Sequence, residues 1–452
     1  MDAAAIYQRF VEQAPAAVLI HGLIQSCMSP EFLDQTAAPH LPASPNPRQL
    51  AFADLVEILL PVVFGSATSV RHSYRQATHM HAVATLKCVY ERLDRTPPAA
   101  VAALVGAVAD RVGPLFDTPA TGPLRFRTLD GNHLAATQNR LADLAGRPAP
   151  LPGQAIVLRD QATGVFVRIL LHEDGHANER ALHAQLMPAF EPGDVVIADS
   201  SFCTEGFLTG VQARGAASVV RHHGGVGLTP VGDRIDHGLV PTGRVYETRV
   251  QYAQTALVLR LVEIELCQPT REGITVVGVL TDVPAETLPA PDVAATYLRR
   301  RTIEVAFQEL ADGLRGEVDT LAYPKAALFA FGLAVAVYNL LQVVRRAAEH
   351  HAVASGEPIP DPVSPVLLGH EVRSFAAGVA TALNGNPDMP TPAWTVERLR
   401  AWVKTLARRL TDGRYAKSKR GHRKARPKTP KAPKGSHTAT ARVLEQRRIK
   451  SQ

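Results

Sequence analysis

The sequence predicts a mixed α/β core preceded by a helical region. Three observations carry that expectation. Apolar residues recur at three- and four-residue spacing through residues 1–120. Between 121 and 223, short alternating or wholly apolar runs are interleaved with helical stretches. After a strand-rich stretch, the helical period returns at Asp292. With 452 residues, 46% apolar and 20% charged, the chain is long enough for a large core and too apolar for global disorder.

The helical region is clearest from Ala51 to Leu60 and from Tyr74 to Leu93. Pro97-Pro98 ends the second pattern, and a further helix is expected over about 99–111. Leu124–Leu129 alternates as a strand and runs into Asp130-Gly131-Asn132, which has the composition of a turn. Ala155–Arg159 and Gly164–Leu171 form an expected hairpin, followed by a helix at about 177–188. Asp194–Asp199 is a short apolar run between acids, the pattern of a strand covered on both faces. A helix at about 204–214 and a strand at Ala217–Arg221 follow. Residues 224–290 are first Gly- and Pro-rich, then strand-like at Ala256–Leu266 and Ile274–Leu280. Lys325 and Arg345 enclose 19 uncharged residues, long enough to cross a membrane. Tyr338, Asn339 and Gln342 within that run favour a buried core helix, and no membrane association is expected. A Pro-rich loop is expected over 350–364 and further helices over 365–410.

Charge is unevenly placed. The last 41 residues hold 14 Lys/Arg against Asp412 and Glu445, a net +12, leaving −5 on the rest of a +7 chain. A basic, Pro-rich tail on a mildly acidic body suits contact with phosphate backbones, although it equally suits a solvated tail with no fixed partner. The four cysteines form no C-x-x-C pair, which argues against a disulfide framework or a cysteine zinc site. No secretory signal is expected at Met1, and no P-loop occurs. His172-Glu173-Asp174-Gly175-His176 matches H-E-x-x-H literally. That motif binds zinc only on a helix, and here Asp-Gly after a strand predicts a turn.

Two acids stand at expected strand ends, Asp130 and Asp199. Carboxylates at the ends of neighbouring parallel strands can converge where ligands bind above a sheet. Asp130 in a turn and Asp199 as a helix cap are the plainer alternatives. A third acid lies in Tyr297–Leu310, helical by period. At about 100° per residue Tyr297 and Glu304 are nearly eclipsed, with Arg300 between them on the same side. Ile303, Phe307, Leu310 and Leu314 form the adjoining apolar stripe. A surface Arg300/Glu304 pair would account for those two residues alone, in the weaker order for such pairs.

The order Asp130, Asp199-Ser200-Ser201-Phe202-Cys203, a strand-rich stretch, then Tyr297-x-x-Arg300-x-x-x-Glu304-x-x-Phe307 resembles the D-D-E transposases of bacterial insertion sequences, in particular the insertion-sequence family number four with its Y-R-E-K signature. The resemblance covers about 121–345. It implies an RNase H-like mixed sheet core with a β-rich insertion, a helical N-terminal domain and a basic disordered C-terminal tail. The implied organisation is an end-binding helical region at 1–120, a core at 121–223 and 292–348 split by the insertion at 224–291, C-terminal helices at 349–411 and the tail at 412–452. It implies that Asp130, Asp199 and Glu304 are catalytic residues holding Mg²⁺, with Mn²⁺ as an alternative. Tyr297, Arg300 and Arg301 would contact DNA. The partners would be double-stranded DNA, as element ends and target, and a second copy of the chain in a homodimer on that DNA. The setting would be the bacterial cytoplasm, near the nucleoid.

The chain departs from that pattern in three places. Ala311 stands where the signature has Lys, with Lys325 and Arg315 as candidate substitutes, neither at the right spacing. Arg301 stands where Trp is usual. The strand-rich stretch has no Trp, leaving Tyr246 and Tyr252 as its aromatic candidates to hold a base during a hairpin step. A catalytically inactive DNA-binding relative and a structure-selective nuclease on the same fold therefore stay open beside an active transposase.

Overall fold

The computed structural model describes residues 3–42, 50–77, 79–80, 84–116, 124–138, 141–253, 255–270, 273–354, 362–411, 413–417 and 437–451. The N-terminal region folds as helices α1 (Ala3–Gln13), α2 (Pro15–Cys27), α3 (Pro30–Ala37), α4 (Phe52–Phe64), α5 (Val70–Gln76), α6 (Leu86–Arg95) and α7 (Pro98–Val112). Tyr74–Leu93 is not one helix. Ser69 caps α5 and Thr85 caps α6, and each side-chain oxygen accepts a backbone N–H of its own first turn.

Strand β1 (Arg125–His133) lies inside a ten-stranded mixed sheet. The remaining strands are β2 (Pro150–Leu151), β3 (Gln154–Asp160), β4 (Phe166–His172), β5 (Asp194–Ala198), β6 (Ala217–Arg221), β7 (Leu228–Pro230), β8 (Ile235–Val240), β9 (Gly243–Tyr252), β10 (Val258–Leu266), β11 (Val276–Thr281) and β12 (Thr438–Ala439). The sheet order is β4-β3-β1-β5-β6-β11-β10-β9-β7, with β8 also on β9, while β2 and β12 pair separately. β1, β5 and β6 are parallel neighbours, and β3 and β4 are antiparallel. Residues 224–291 thus do not fold as a separate β module. β11 bonds directly to β6, Val279 opposite Arg221, and the expected insertion extends the same sheet.

Helices α8 (Glu179–Leu186) and α9 (Glu205–Ala213) cover one face. Ile156, Leu158, Val196 and Ala198 point to that side and bury against Leu182, Phe207 and Leu208. Their strand neighbours Ala155 and Val157 face the other way, into a core shared with the N-terminal helices. Val195 and Ile197 pack on that opposite side against α10 (Ala290–Leu298). Next come α11 (Thr302–Gly313), α12 (Pro324–Ala354), α13 (Pro365–Leu383) and α14 (Val396–Ala407).

The apolar run between Lys325 and Arg345 is α12, and its best membrane-length window is wholly buried inside the protein. Its polar residues have defined partners. Asn339 accepts the Phe166 N–H at 2.8 Å and donates to the Phe166 carbonyl at 2.9 Å, satisfying the backbone at the start of β4. The Tyr338 hydroxyl donates to Glu309 Oε2 at 2.8 Å, tying α12 to α11. α7 with the 3₁₀ turn that follows it, Pro98–Leu115, is also long and apolar enough for a span, and half of that stretch is buried.

The expected disordered tail is corrected at its far end. β12 pairs with β2, and α15 (Thr440–Lys450) sets Arg442 on Asp174 at 2.8 Å and Arg447 on Asp143 at 2.7 Å. Asp412 and residues 418–436 lie outside the described residues.

Candidate active site

Asp130 is not in a turn. β1 runs on through Asp130-Gly131-Asn132 to His133, because β3 pairs with it over that whole length, Asp130 opposite Val157 and His133 opposite Gln154. The parallel register with β5 sets Thr128 opposite Ile197, so two residues further along Asp130 and Asp199 leave neighbouring strands at the same level. Asp199 also caps the 3₁₀ turn Ser200–Phe202. Its Oδ1 accepts the Ser201 N–H at 2.8 Å and the Ser201 hydroxyl at 2.6 Å. The cap reading of Asp199 and its place at the sheet edge are both true.

The third acid arrives by a broken helix. The single helix expected from Tyr297 to Leu310 is α10, a 3₁₀ turn at Arg299–Arg301, and α11, with Glu304 in the first turn of α11. Arg300 in that turn points at the sheet. Its Nη1 donates to Asp130 Oδ2 and its Nη2 to Glu304 Oε1, each at 2.9 Å. One guanidinium therefore joins the acid of β1 to the acid of α11. The Arg300–Asp130 contact is largely buried, with side chains 16% and 17% exposed, whereas the Arg300–Glu304 contact is at the surface, with Glu304 59% exposed.

The charges register one another. Burial pushes the Asp130 carboxyl up to about 6, Arg300 pulls against that rise, and Asp199 and Glu304 add to it. Burial opposes the charge on Arg300, yet Asp130, Tyr297 and Glu304 hold its pKa above the ordinary value. Tyr297 is buried, and burial raises its phenol against the pull of Arg300 and Arg221.

A carboxylate that sequence reasoning missed is Glu179, at the start of α8. Its Oε2 lies 3.2 Å from the Ser201 hydroxyl oxygen. A Cβ at Gly131 would meet its Oε1, the free end of a flexible side chain, so the Glu179 carboxylate lies against the backbone beside Asp130. The available signal was Asn178-Glu179, a helix-capping pair just after the His172–His176 turn.

The donor set is entirely hard oxygen, the kind Mg²⁺ prefers. Asp130 feels the negative charge of both Asp199 and Glu304. Among the described residues, however, no three acids, histidines or cysteines are already drawn together for a metal, and the Arg300 guanidinium lies between Asp130 and Glu304.

Beside Glu304 is a cleft of about 960 Å³, whose lining includes neither Asp130 nor Asp199. Arg221, Tyr297, Arg300, Arg301 and Glu304 line one wall, and Cys267 to Thr270 line the other. Neither expected tyrosine is free in it: Tyr252 is buried with its hydroxyl on the Cys203 carbonyl, and Arg234 covers the Tyr246 ring at 3.6 Å. Ala311 is exposed on α11. Arg315 lies 3.4 Å from the Thr68 carbonyl and 4.0 Å from Asp319, and Lys325 lies 4.0 Å from Glu173. His172–His176 forms the turn after β4, not a helix.

Residues 149–340 match the family model described as a transposase DDE domain. The match spans Glu179, Asp199, Tyr297, Arg300 and Glu304, and begins after Asp130. Among solved structures the chain is similar to a piggyBac transposase synaptic complex with hairpin DNA, at 10% identity over 88% of this chain and 86% of that chain, with a TM-score of 0.38. No curated protein sequence matches it. The family-model match covers less than half of the chain.

Proposed function

We propose that the chain is a DNA transposase that cuts at the ends of its insertion sequence and joins them to target DNA, and that it belongs with insertion-sequence family number four. One observation carries the reading: Asp130 and Asp199 leave adjacent parallel strands at one level, and Arg300 ties Glu304 to Asp130 beside a cleft lined by arginines. The core order β4-β3-β1-β5-β6 supports an RNase H-like core, with acids where such a sheet binds its ligand.

In this reading Asp130, Asp199 and Glu304 would hold Mg²⁺ or Mn²⁺. Bound there, the ions would activate water or a 3′-hydroxyl and offset charge on the transferring phosphate. Tyr297, Arg300 and Arg301 would grip the DNA end in the cleft, where a guanidinium can bond a phosphate through two N–H groups. The N-terminal helices would bind the element's ends, and the basic tail would add backbone contacts. Two ends must be processed together, so the acting form is a homodimer on DNA, in the bacterial cytoplasm.

The test is incubation of the full chain with Mg²⁺ and DNA carrying the inverted repeats that flank its coding region. Strand cleavage followed by joining to a second duplex is expected. Asp130→Ala, Asp199→Ala and Glu304→Ala should each abolish cleavage while leaving DNA binding largely intact. Ala311 favours a second reading, a catalytically inactive DNA-binding relative, for which wild type would bind the ends without nicking them. Cutting of arbitrary branched DNA would mark a nuclease instead.

A further inference from the structure

Two residues at the end of β3 reach both flanks of the helix break that carries Arg300. Arg159 stands opposite Thr128 on β1, so it faces the same side of the sheet as Asp130, which stands opposite Val157 two positions along. On that side its Nε donates to the Gly164 carbonyl at 3.1 Å and its Nη1 to the Thr302 hydroxyl at 3.0 Å. Thr302 is the first residue of α11, two before Glu304. Gln161 works on the other flank. Its side-chain amide donates to the Thr128 hydroxyl at 3.0 Å and reaches the Thr296 carbonyl of α10 at 3.5 Å. Thr296 and Thr302 bracket the 3₁₀ turn Arg299–Arg301.

Arg159 is 6% exposed, and its guanidinium donates to two uncharged oxygens. Burial opposes its charge, and the fields of Tyr338 and Glu309 offset that only in part. The β3–β4 turn does not need this cation to close. Asp160 already accepts the Thr163 N–H at 2.6 Å and the Thr163 hydroxyl at 2.7 Å, and its carbonyl accepts the Gly164 N–H at 3.0 Å. What arginine adds is a rigid fork that serves the turn carbonyl and the α11 hydroxyl together. The far end of α11 is held as well, where buried Glu309 accepts the Tyr338 hydroxyl at 2.8 Å. The Glu304 side chain is 59% exposed, so its place depends on where the first turn of α11 is held.

We infer that Arg159 is a positioning residue of the site. Through Thr302, and with Gln161 at Thr296, it holds the 3₁₀ turn between α10 and α11 so that Arg300 meets Asp130 and Glu304 stands beside them. Its effect on cleavage rests on the function proposed above; its hold on the turn does not.

The test uses the full chain. Thr302→Val keeps the side-chain shape and the Arg159–Gly164 bond and removes only the hydroxyl, whereas Thr302→Ser keeps the hydroxyl. Thr302→Val should slow single-turnover cleavage of end DNA, at saturating protein, by about tenfold or more, because a small misplacement of a reacting constellation can cost about 10²-fold. Affinity for end DNA should stay within about twofold, and Thr302→Ser should keep the wild-type rate. Arg159→Lys should also be slow. Combining it with Thr302→Val should cost much less than the product of the two single losses, as residues acting through one contact require. Amide hydrogen exchange without DNA reads the turn independently of activity. Thr302→Val should speed exchange over residues 299–304 by roughly threefold to tenfold, the equivalent of one lost hydrogen bond, and leave residues 154–172 unchanged. Unchanged exchange over 299–304 overturns the inference whatever the wild type does to DNA. Equal slowing by Thr302→Ser, or fully multiplicative losses in the double variant, overturns it too. A wild type that does not cut end DNA, beside a Thr302→Val chain that loosens 299–304 alone, sinks the proposed function and leaves the hold on the turn standing.

Discussion

Asp130→Asn should disable the protein and stabilise it at the same time. The Asp130 side chain is 17% exposed, and its carboxyl ionises at about 6 in the folded chain against an ordinary 3.8. One pKa unit corresponds to about 1.4 kcal/mol, so holding Asp130 ionised near neutral pH costs folding roughly 3 kcal/mol. The folded state binds this proton more tightly than the unfolded chain. Its contribution is therefore full below about pH 4 and lost as pH rises through about 6. Asparagine keeps the shape and a carbonyl acceptor for Arg300 while removing the charge. The variant should gain roughly 2–3 kcal/mol near pH 7, little near pH 4, and lose DNA cleavage. Denaturant unfolding at the two pH values, beside a cleavage assay on end DNA, measures all three. An Asn variant less stable than wild type at neutral pH, or equally stabilised at both, would refute the reasoning.

Three further outcomes are expected. Arg300→Ala should move the acid-side pH dependence of stability upward, because the group that pulls the Asp130 pKa down is gone. Arg300→Lys should not restore it, since a single ammonium does not reproduce a fork that donates to two carboxylates; an unmoved profile in the alanine variant would count against the bridge. Glu309→Ala should cost about 3 kcal/mol, read by denaturant unfolding. It would strip partners from the buried Tyr338 hydroxyl and from Lys417, which lies 2.9 Å from Glu309. Deleting 412–452 should weaken DNA binding and flatten its salt dependence, whereas an unchanged slope would show that the tail does not touch phosphates.

Most elements of the central sheet were legible because each depends on a local pattern. Ala217–Arg221 is a strand with the bounds its apolar run suggested, and Asp194–Ala198 is buried on both faces as a wholly apolar run requires. The misreadings occurred where distant partners override local composition. Asp130-Gly131-Asn132 has turn chemistry, but β3 pairs across it and holds it extended. β8 and β9 were not distinguished, because exposed polar residues on an outer strand blur the alternation; Asp236, Arg244 and Glu265 belong to cross-strand charge pairs of that region. The Pro-rich composition near the C-terminus concealed the short segment that docks through Arg442 and Arg447.

The candidate site was legible in its residue types and not in its wiring, for a geometric reason. An unbroken helix would stack Tyr297, Arg300 and Glu304 along one side and leave Arg300 as a partner for Glu304 alone. The 3₁₀ turn at Arg299–Arg301 changes the rotation per residue just where the cation sits. Arg300 can then reach across to β1 while still bonding Glu304 four residues on. No periodicity rule signals that break, since Leu298-Arg299-Arg300-Arg301-Thr302 contains neither Gly nor Pro. Its cause is tertiary. Tyr297 is buried against one cluster and Ile303 against another, on different cores, and the chain between them must adjust to satisfy both. The same adjustment supplies the positive charge that lets Asp130 sit ionised beside Asp199 and Glu304. Packing of α10 and α11 on separate cores is therefore what sets the electrostatics of the acids at the sheet edge.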